Sequence, residues 1–330
     1  MFKKSMKYVH LAVAISCFLC ANAFAALELK LGHFAAANHP GQTAAQQFAD
    51  NVAKRTNGEI TISIIPGISG NALVDQVIDG TVDMSLSEQE HFASRVKVFE
   101  VINTPFAIKD YAHADRIIDG PFKTWTAPIL EEVGLIYLSG WEWGFRQITN
   151  SKRPIKAPAD FNGLKIRTPP YMVYQESVKA LGAEIVVIPY NEMPEAMRKG
   201  VADGQENPIS VIHSLGLYDS QKYVTMVNYL YNSMTHVVHK PTWDKLTTEQ
   251  KNIIQEESDS ARLLMRKLVR DEEQQQIEDM KAKGVQVDSP PLEEFQAKMA
   301  PVYEMMKKSV GADAFAKWLD MVSAMEKPKP

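Results

Sequence analysis

Two stretches of this chain repeat one order of strand and helix signals, and the repetition limits the folds open to it. Leu27-Glu28-Leu29-Lys30-Leu31 alternates apolar and polar residues as a half-buried strand does. Pro40-Gly41 then opens a helix running to about Asn57, along which Ala44, Phe48 and Val52 recur at helical spacing. Asn57-Gly58 closes it, Glu59 to Ile65 alternates again, Asn71 to Ile78 reads as a short helix, and Val82 to Leu86 as a third strand. The same order returns over 164–167, 172–181, 184–188 and 190–199. The copies share a phrase, Gly80-Thr81-Val82-Asp83 against Gly200-Val201-Ala202-Asp203. Strands alternating with helices predict βαβ units, mostly parallel sheets and right-handed crossovers. Two such sets predict two α/β lobes.

That architecture places the candidate site. Open α/β sheets bind ligands beyond the carboxyl ends of their strands, and two facing lobes leave a cleft between them. The residues following each strand are therefore the candidates: His33 and Phe34, Ser87 to His91, Trp143 to Gln147, Arg167 to Pro169, Tyr190, and Glu206 to Pro208. The C-terminal third is predicted helical. Thr247 to Lys283 forms one long helix with Ile253, Leu263, Leu264 and Leu268 as its buried spine. Phe295 to Met305 and Ala312 to Met325 follow, their methionines serving as core packing.

The first 26 residues stand outside this pattern. Lys3, Lys4 and Lys7 precede an apolar run from Leu11 to Leu19, and Ala21-Asn22-Ala23 and Ala23-Phe24-Ala25 are small-x-small cleavage signals. This is a secretory signal peptide, cleaved near Ala25 or Ala26, and it predicts a periplasmic protein. Losing the three leader lysines takes the net charge from −4 to −7, so there is no basic surplus for nucleic acid. Cys17 and Cys20 are the only cysteines, which excludes disulfides, thiolate nucleophiles and thiolate metal sites from the mature chain.

Catalytic signatures are sparse. No Gly-x-Ser-x-Gly elbow, Gly-x4-Gly-Lys loop or Gly-x-Gly-x-x-Gly occurs, so no cofactor is predicted. His236 and His239 are spaced for metal only on a helix. Their β-branched neighbours predict a strand, where three residues' separation sends the rings to opposite faces, and no metal is expected. The arginines carry more information. Arg167 ends a short strand before Pro169, and Arg146 follows the aromatic run Trp141-Glu142-Trp143-Gly144-Phe145. A guanidinium held rigidly in such a place either captures a carboxylate in two-pronged fashion or pairs with an internal acid. The pattern alone leaves both uses open for each.

Three phrases in order carry a family resemblance: Gly144-Phe145-Arg146-Gln147, Asp160-Phe161-Asn162-Gly163-Leu164-Lys165-Ile166-Arg167-Thr168-Pro169, and Ala202-Asp203-Gly204-Gln205-Glu206-Asn207-Pro208. They resemble the solute-binding proteins of tripartite ATP-independent periplasmic (TRAP) transporters, and the likeness runs over the whole mature chain. It implies a two-lobed periplasmic-binding-protein fold with hinge strands and a long helix spanning both lobes. The ranges would be 27–143 with 233–272, and 144–232 with 273–330. It also implies closure on an organic acid anion and delivery to the small and large membrane subunits, by a monomer and without catalysis. Arg167 would clamp the ligand carboxylate, Arg146 and Asn207 would assist, and Glu88 would meet ligand hydroxyls from the other lobe.

Ligand identity is read from departures within that family. The turn Ile65 to Asn71 is shorter than in sialic-acid members and lacks their acid, and Phe34 replaces a polar residue. Glu88 and Glu90 offer acceptors to hydroxyls and would repel a second carboxylate, which favours a uronic or aldonic acid over a C4-dicarboxylate. Trp143 and Tyr190 either stack on a sugar ring or serve as wall and core, and His33 either donates to the ligand or caps its turn. A secreted enzyme acting on sugar acids and a sensory binding protein are the competing functions.

Overall fold

The structure, a computed structural model, describes residues 26–68 and 70–326. The expected signal peptide therefore lies outside the described residues, apart from Ala26. Among the described residues nine strands form one sheet: β1 (Leu27–His33), β2 (Ile60–Ile65), β3 (Met84–Glu88), β4 (Leu135–Asn150), β5 (Lys165–Thr168), β6 (Glu184–Val187), β7 (Gly204–Pro208), β8 (Tyr223–His239) and β9 (Gln286–Asp288). Their order is β2-β1-β3-β8-β4-β7-β5-β6, with β9 beside β8. β1 runs parallel to β2 and β3, and β5 runs parallel to β6 and β7. The antiparallel pair β4 and β8 joins these two parallel units. This is the expected two-lobed α/β architecture, with the His236–His239 segment in a strand.

The repeated phrase has one structural meaning in both places. The Asp83 carboxylate accepts a 2.9 Å hydrogen bond from the Lys30 backbone N–H, and Asp203 accepts one of 2.9 Å from Lys165. The two aspartate N–H groups donate back to the carbonyls of Lys30 and Lys165. Each aspartate thus locks the entry of the third strand of its lobe onto the first, fixing register just upstream of the strand ends that build the cleft.

Apolar residues fill both faces of the sheet, and each face draws on both lobes. One layer joins Val74, Phe92 and Phe99 with Phe161, Ile166 and Tyr174, under Phe315 and Trp318 of the last helix. The other joins Leu31, Phe48 and Met84 with Met193, Ile209 and Val211. Across this second layer lies the long helix Thr248–Ala282, started by a capping box in which Thr247 and Gln250 satisfy each other's backbone N–H groups. It packs on helix Pro40–Arg55, on β4 and on helix Ile209–Ser214, so it touches both lobes. Its buried face is Ile253, Ile254, Ala261, Met265 and Val269 rather than the expected leucines, and Leu263 is 58% exposed. This rotation also lets Arg266 and Arg270 reach Asp115, Asp119 and Glu142.

The C-terminal helices cross between the two expected ranges. Ala300–Val310 packs on segment Lys97–Asn103 and on Met172–Ala180, while Ala312–Met325 packs on Tyr111–Ile117. Tyr303 donates to the Pro105 carbonyl, and the ring of His113 bonds the Val322 carbonyl at 2.9 Å. Met299 and Met306 are buried as core, as expected.

Gly204 shows how tightly β7 is seated. A Cβ there would lie 2.1 Å from the backbone oxygen of Thr149, which cannot move without breaking the β4–β7 ladder. Gly204→Ala is expected to lower unfolding free energy by at least ~1–3 kcal/mol, the usual range for overpacking. A urea melt checks this, and unchanged stability would show that β7 can slide away from β4.

Candidate ligand-binding site

The carboxyl ends of the strands converge on a cavity of about 360 Å³. Phe34 enters just after β1, Glu88 from the end of β3, and His91 from the short helix after it. The second lobe supplies Arg167 from β5, Tyr171 and Tyr190 from the turns after β5 and β6, and Asn207 from β7, while Arg146 rises from β4. The lobes touch across this space. Phe34 meets Tyr190 edge-on at 5.3 Å, His91 lies 5.6 Å from Tyr171, and the Tyr174 hydroxyl donates to Glu90 at 2.6 Å.

The two arginines, equivalent in sequence, have different surroundings. Arg146 donates to both carboxylate oxygens of Glu206, to the Glu206 carbonyl at 2.9 Å, to Asn207 at 3.1 Å and to Asn232 at 3.0 Å. It also stacks 4.8 Å above the Tyr174 ring. Burial alone would depress its pKa, but the Glu206 charge reverses that and holds it well above its ordinary value. Arg146 is therefore an internal ion pair whose Nη1 lies 3.6 Å from Glu88 at the cavity edge. Arg167 is 1% exposed, and its only hydrogen bond among the described residues runs from Nε to the Ile188 carbonyl at 2.8 Å. Burial lowers it to about 10, Glu206 opposing and Arg146 adding to the shift, so it stays charged at neutral pH. A buried cation without an acidic partner is costly unless a ligand anion completes it.

The first lobe contributes an acid to the cavity, Glu88. Burial, then the neighbouring charge of Glu90, pushes the Glu88 carboxyl well above its ordinary value, and Arg146 only partly offsets this. Glu90 is not in the cavity lining. It turns away to accept from Tyr174 and, at 3.2 Å, from Asn103. Burial pushes Glu90 up, yet its bond with Glu88, the His91 charge and Tyr174 together hold it below its ordinary value. The expected pair of hydroxyl acceptors is thus one acceptor and one structural acid.

His33 and Trp143 do not line the cavity. His33 is fully buried and bonds Gln42 at 2.7 Å, while the turn is capped by His39, whose Nδ1 accepts from the Gly41 N–H at 3.0 Å. Trp143 lies behind the wall, 4.8 Å from Phe34 and 4.5 Å from His39, because bulky aromatics fill the layer between β4 and the first lobe. Phe34 and Tyr190 do form the wall. Sequence reasoning gave no role to Tyr171 or Asn71, which also line the cavity, nor a specific one to His91. Proximity of His91 to the end of β3 was the available signal.

A family model for bacterial extracellular solute-binding proteins, family 7 (DctP), matches residues 31–309. The chain belongs to the DctP-type solute-binding proteins of TRAP transporters. The 2,3-diketo-L-gulonate-binding periplasmic protein of Escherichia coli is 32% identical over 86% of this chain and 87% of its own. The sugar acid binding protein of Advenella mimigardefordensis, solved with galactonate, superposes with a TM-score of 0.86 at 28% identity, covering 91% of this chain and 99% of that one. A TRAP solute-binding protein of Polaromonas, solved with D-erythronate, gives 0.83 at 30% identity, covering 89% and 98%. Family and fold are those of periplasmic binding proteins rather than enzymes.

Without ligand, the arginine environments predict opposite mutational effects. Glu206→Ala strands the buried Arg146 charge and is expected to lose ~3–5 kcal/mol of stability. Arg167→Met removes a charge that has no acid partner and should leave the ligand-free melting temperature unchanged or higher. Equal losses in both variants, measured by calorimetry, would show that Arg167 is a structural partner.

Proposed function

We propose that this protein captures a hydroxylated monocarboxylic acid of the uronic or aldonic type between its lobes and presents it to the TRAP membrane subunits for import. The observation that carries this reading is the contrast between the arginines. Arg167 is the cavity's cation without an acidic partner, so one ligand carboxylate has one place to bind. Asn207, whose amide nitrogen already donates to Gln205, orients Arg146 and lines the same end. The Tyr190 hydroxyl, buried and without a partner among the described residues, and the ring of Phe34 complete a wall suited to a compact, partly apolar carbon chain.

The acidic end supports a neutral, hydroxylated ligand tail. Glu88 stands in front of Glu90, and a second ligand carboxylate would face the one with the other behind it. Three similar proteins fit this polarity, binding 2,3-diketo-L-gulonate, galactonate and D-erythronate, each a hydroxylated monocarboxylate. In this reading the lobes, 27–143 with 233–272 and 144–232 with 273–330, close about β4 and β8 in a monomer. Closure is favoured because the ligand meets Arg167 and Glu88, on different lobes, only when they approach each other.

The test is a thermal-shift panel of uronic acids, aldonic acids, C4-dicarboxylates, 2-oxo acids and sialic acid on the leaderless protein. A ligand at 1,000 times its dissociation constant adds ~4 kcal/mol, a shift of several degrees. Stabilisation by uronates or aldonates alone is expected, and Arg167→Ala should weaken their binding ~200- to 5,000-fold, matching ~3–5 kcal/mol for a buried pair. Stabilisation by succinate or malate instead would replace the monocarboxylate with a C4-dicarboxylate. Tight binding that survives Arg167→Ala would overturn the clamp.

A further inference from the structure

The first-lobe side of the cavity holds a pair of polar atoms that do not satisfy each other. His91 Nε2 lies 4.0 Å from Glu88 Oε2. That separation is too long for a hydrogen bond. His91 is 4% exposed, lines the cavity, and has no hydrogen bond on either ring nitrogen among the described residues. Its ring is nonetheless held firmly. Phe34 packs against it at 5.4 Å from the first lobe and Tyr171 at 5.6 Å from the second.

We propose that His91 is a specificity-determining residue, and that it and Glu88 hold one ligand hydroxyl between them, so that the site selects acids hydroxylated at that position. The inference rests on the organic-acid reading above and deepens it. A hydroxyl oxygen about 2.8 Å from each of two atoms separated by this gap subtends roughly a right angle, an acceptable geometry for one donated and one accepted hydrogen bond. A hydroxyl is both donor and acceptor, so it gives its proton to the Glu88 carboxyl oxygen and accepts from the imidazole N–H. A methylene or methyl at that position would leave two buried polar groups unpaired, and sites built to bond a hydroxyl reject analogues lacking it for that reason. An ammonium would have to face the imidazole N–H, and a carboxylate would face Glu88 with Glu90 behind it.

His91 makes no hydrogen bond to Arg146, whose partners are Glu206, Asn207 and Asn232, so its ring nitrogens can be removed without stranding that ion pair. Replacement by phenylalanine keeps an aromatic ring between Phe34 and Tyr171. The experiment is a cycle of His91→Phe against deoxygenation of the ligand, read by calorimetric titration with galactonate and its mono-deoxy analogues and with D-erythronate and its own. For the wild type, removing the hydroxyl at one position should weaken binding about tenfold or more, the scale of one buried hydrogen bond with an unpaired partner. In the variant that same removal should change affinity less than about twofold, while the other positions keep their wild-type effects.

An identical deoxy profile in wild type and variant would overturn the proposal, as would equal weakening of every acid by the variant, which marks a purely structural ring. If the wild type binds none of these acids and is silent across the wider panel, the organic-acid reading fails and this inference falls with it. If acids bind but the profiles coincide, only the role of His91 fails.

Discussion

The bidentate pairing of Arg146 with Glu206 is the interaction on which the rest of the site depends. It joins β4 to β7, and both partners are buried. A buried ion pair is tolerated only when its remaining donors and acceptors are satisfied. Here the Tyr229 hydroxyl on β8 donates to Glu206 at 2.6 Å, and Asn232 on β8 accepts from Arg146 while donating to Asn103 and to Tyr174. Tyr174 in turn donates to Glu90. One connected network therefore contains a residue from each joining strand and from each lobe. It forms the floor of the cleft.

Because Glu206 is committed to Arg146, it is not free for Arg167. Both guanidiniums are buried, and the acids nearby satisfy one of them. The fold places Arg167 on a strand end pinned by Pro169 and by the Ile188 carbonyl, so the side chain cannot swing out to water to lose its desolvation penalty. That penalty is present at every pH below about 10. Arg167 is thus a pre-positioned charge with no acid partner among the described residues, and preorganised donors of this kind cost little reorganisation on meeting an anion.

Much of this was legible in the chain. The strand and helix periods, the two Gly-x-x-Asp phrases and the strand-end rule located the lobes and most of the lining, because hydrophobic alternation and turn chemistry are local properties. The division of labour between Arg146 and Arg167 was not legible. It is decided by which carboxylate the cross-strand register sets beside each guanidinium, and Arg146 comes opposite Pro208, two residues from Glu206, only once β4 and β7 are paired. The histidines differ in a related way: His33 ends β1, whereas His39 immediately precedes helix Pro40–Arg55 and caps it. Leu263 lies off the buried face because Ile254, Ala261, Met265 and Val269 carry the apolar period, and Arg266 and Arg270 reach their acidic partners from the same helix. Glu90 was misplaced because Asn103 and Tyr174, far away in sequence, claim it.

The polar side chains of β4 change partners along its length. Before Gly144, Ser139 bonds Ser258 of the long helix, Gly140 accepts from Arg266 through its carbonyl, and Glu142 receives Arg270, which also holds Asp115. After Gly144, Arg146 turns to β7, Gln147 accepts from the backbone N–H groups of Val227 and Asn228, and Thr149 donates to Gln221. Gly144 itself has a φ of +116°, which L side chains rarely adopt, and the β4–β8 register slips on both sides of it. Gln147 fills the slip between Arg146 and Ile148, supplying an acceptor where two backbone donors would otherwise face a gap in the ladder. The strand is thus anchored to the long helix and first lobe on one side and to the second-lobe sheet on the other. The glycine between them is the one residue type able to take the turn that lets a single strand serve both.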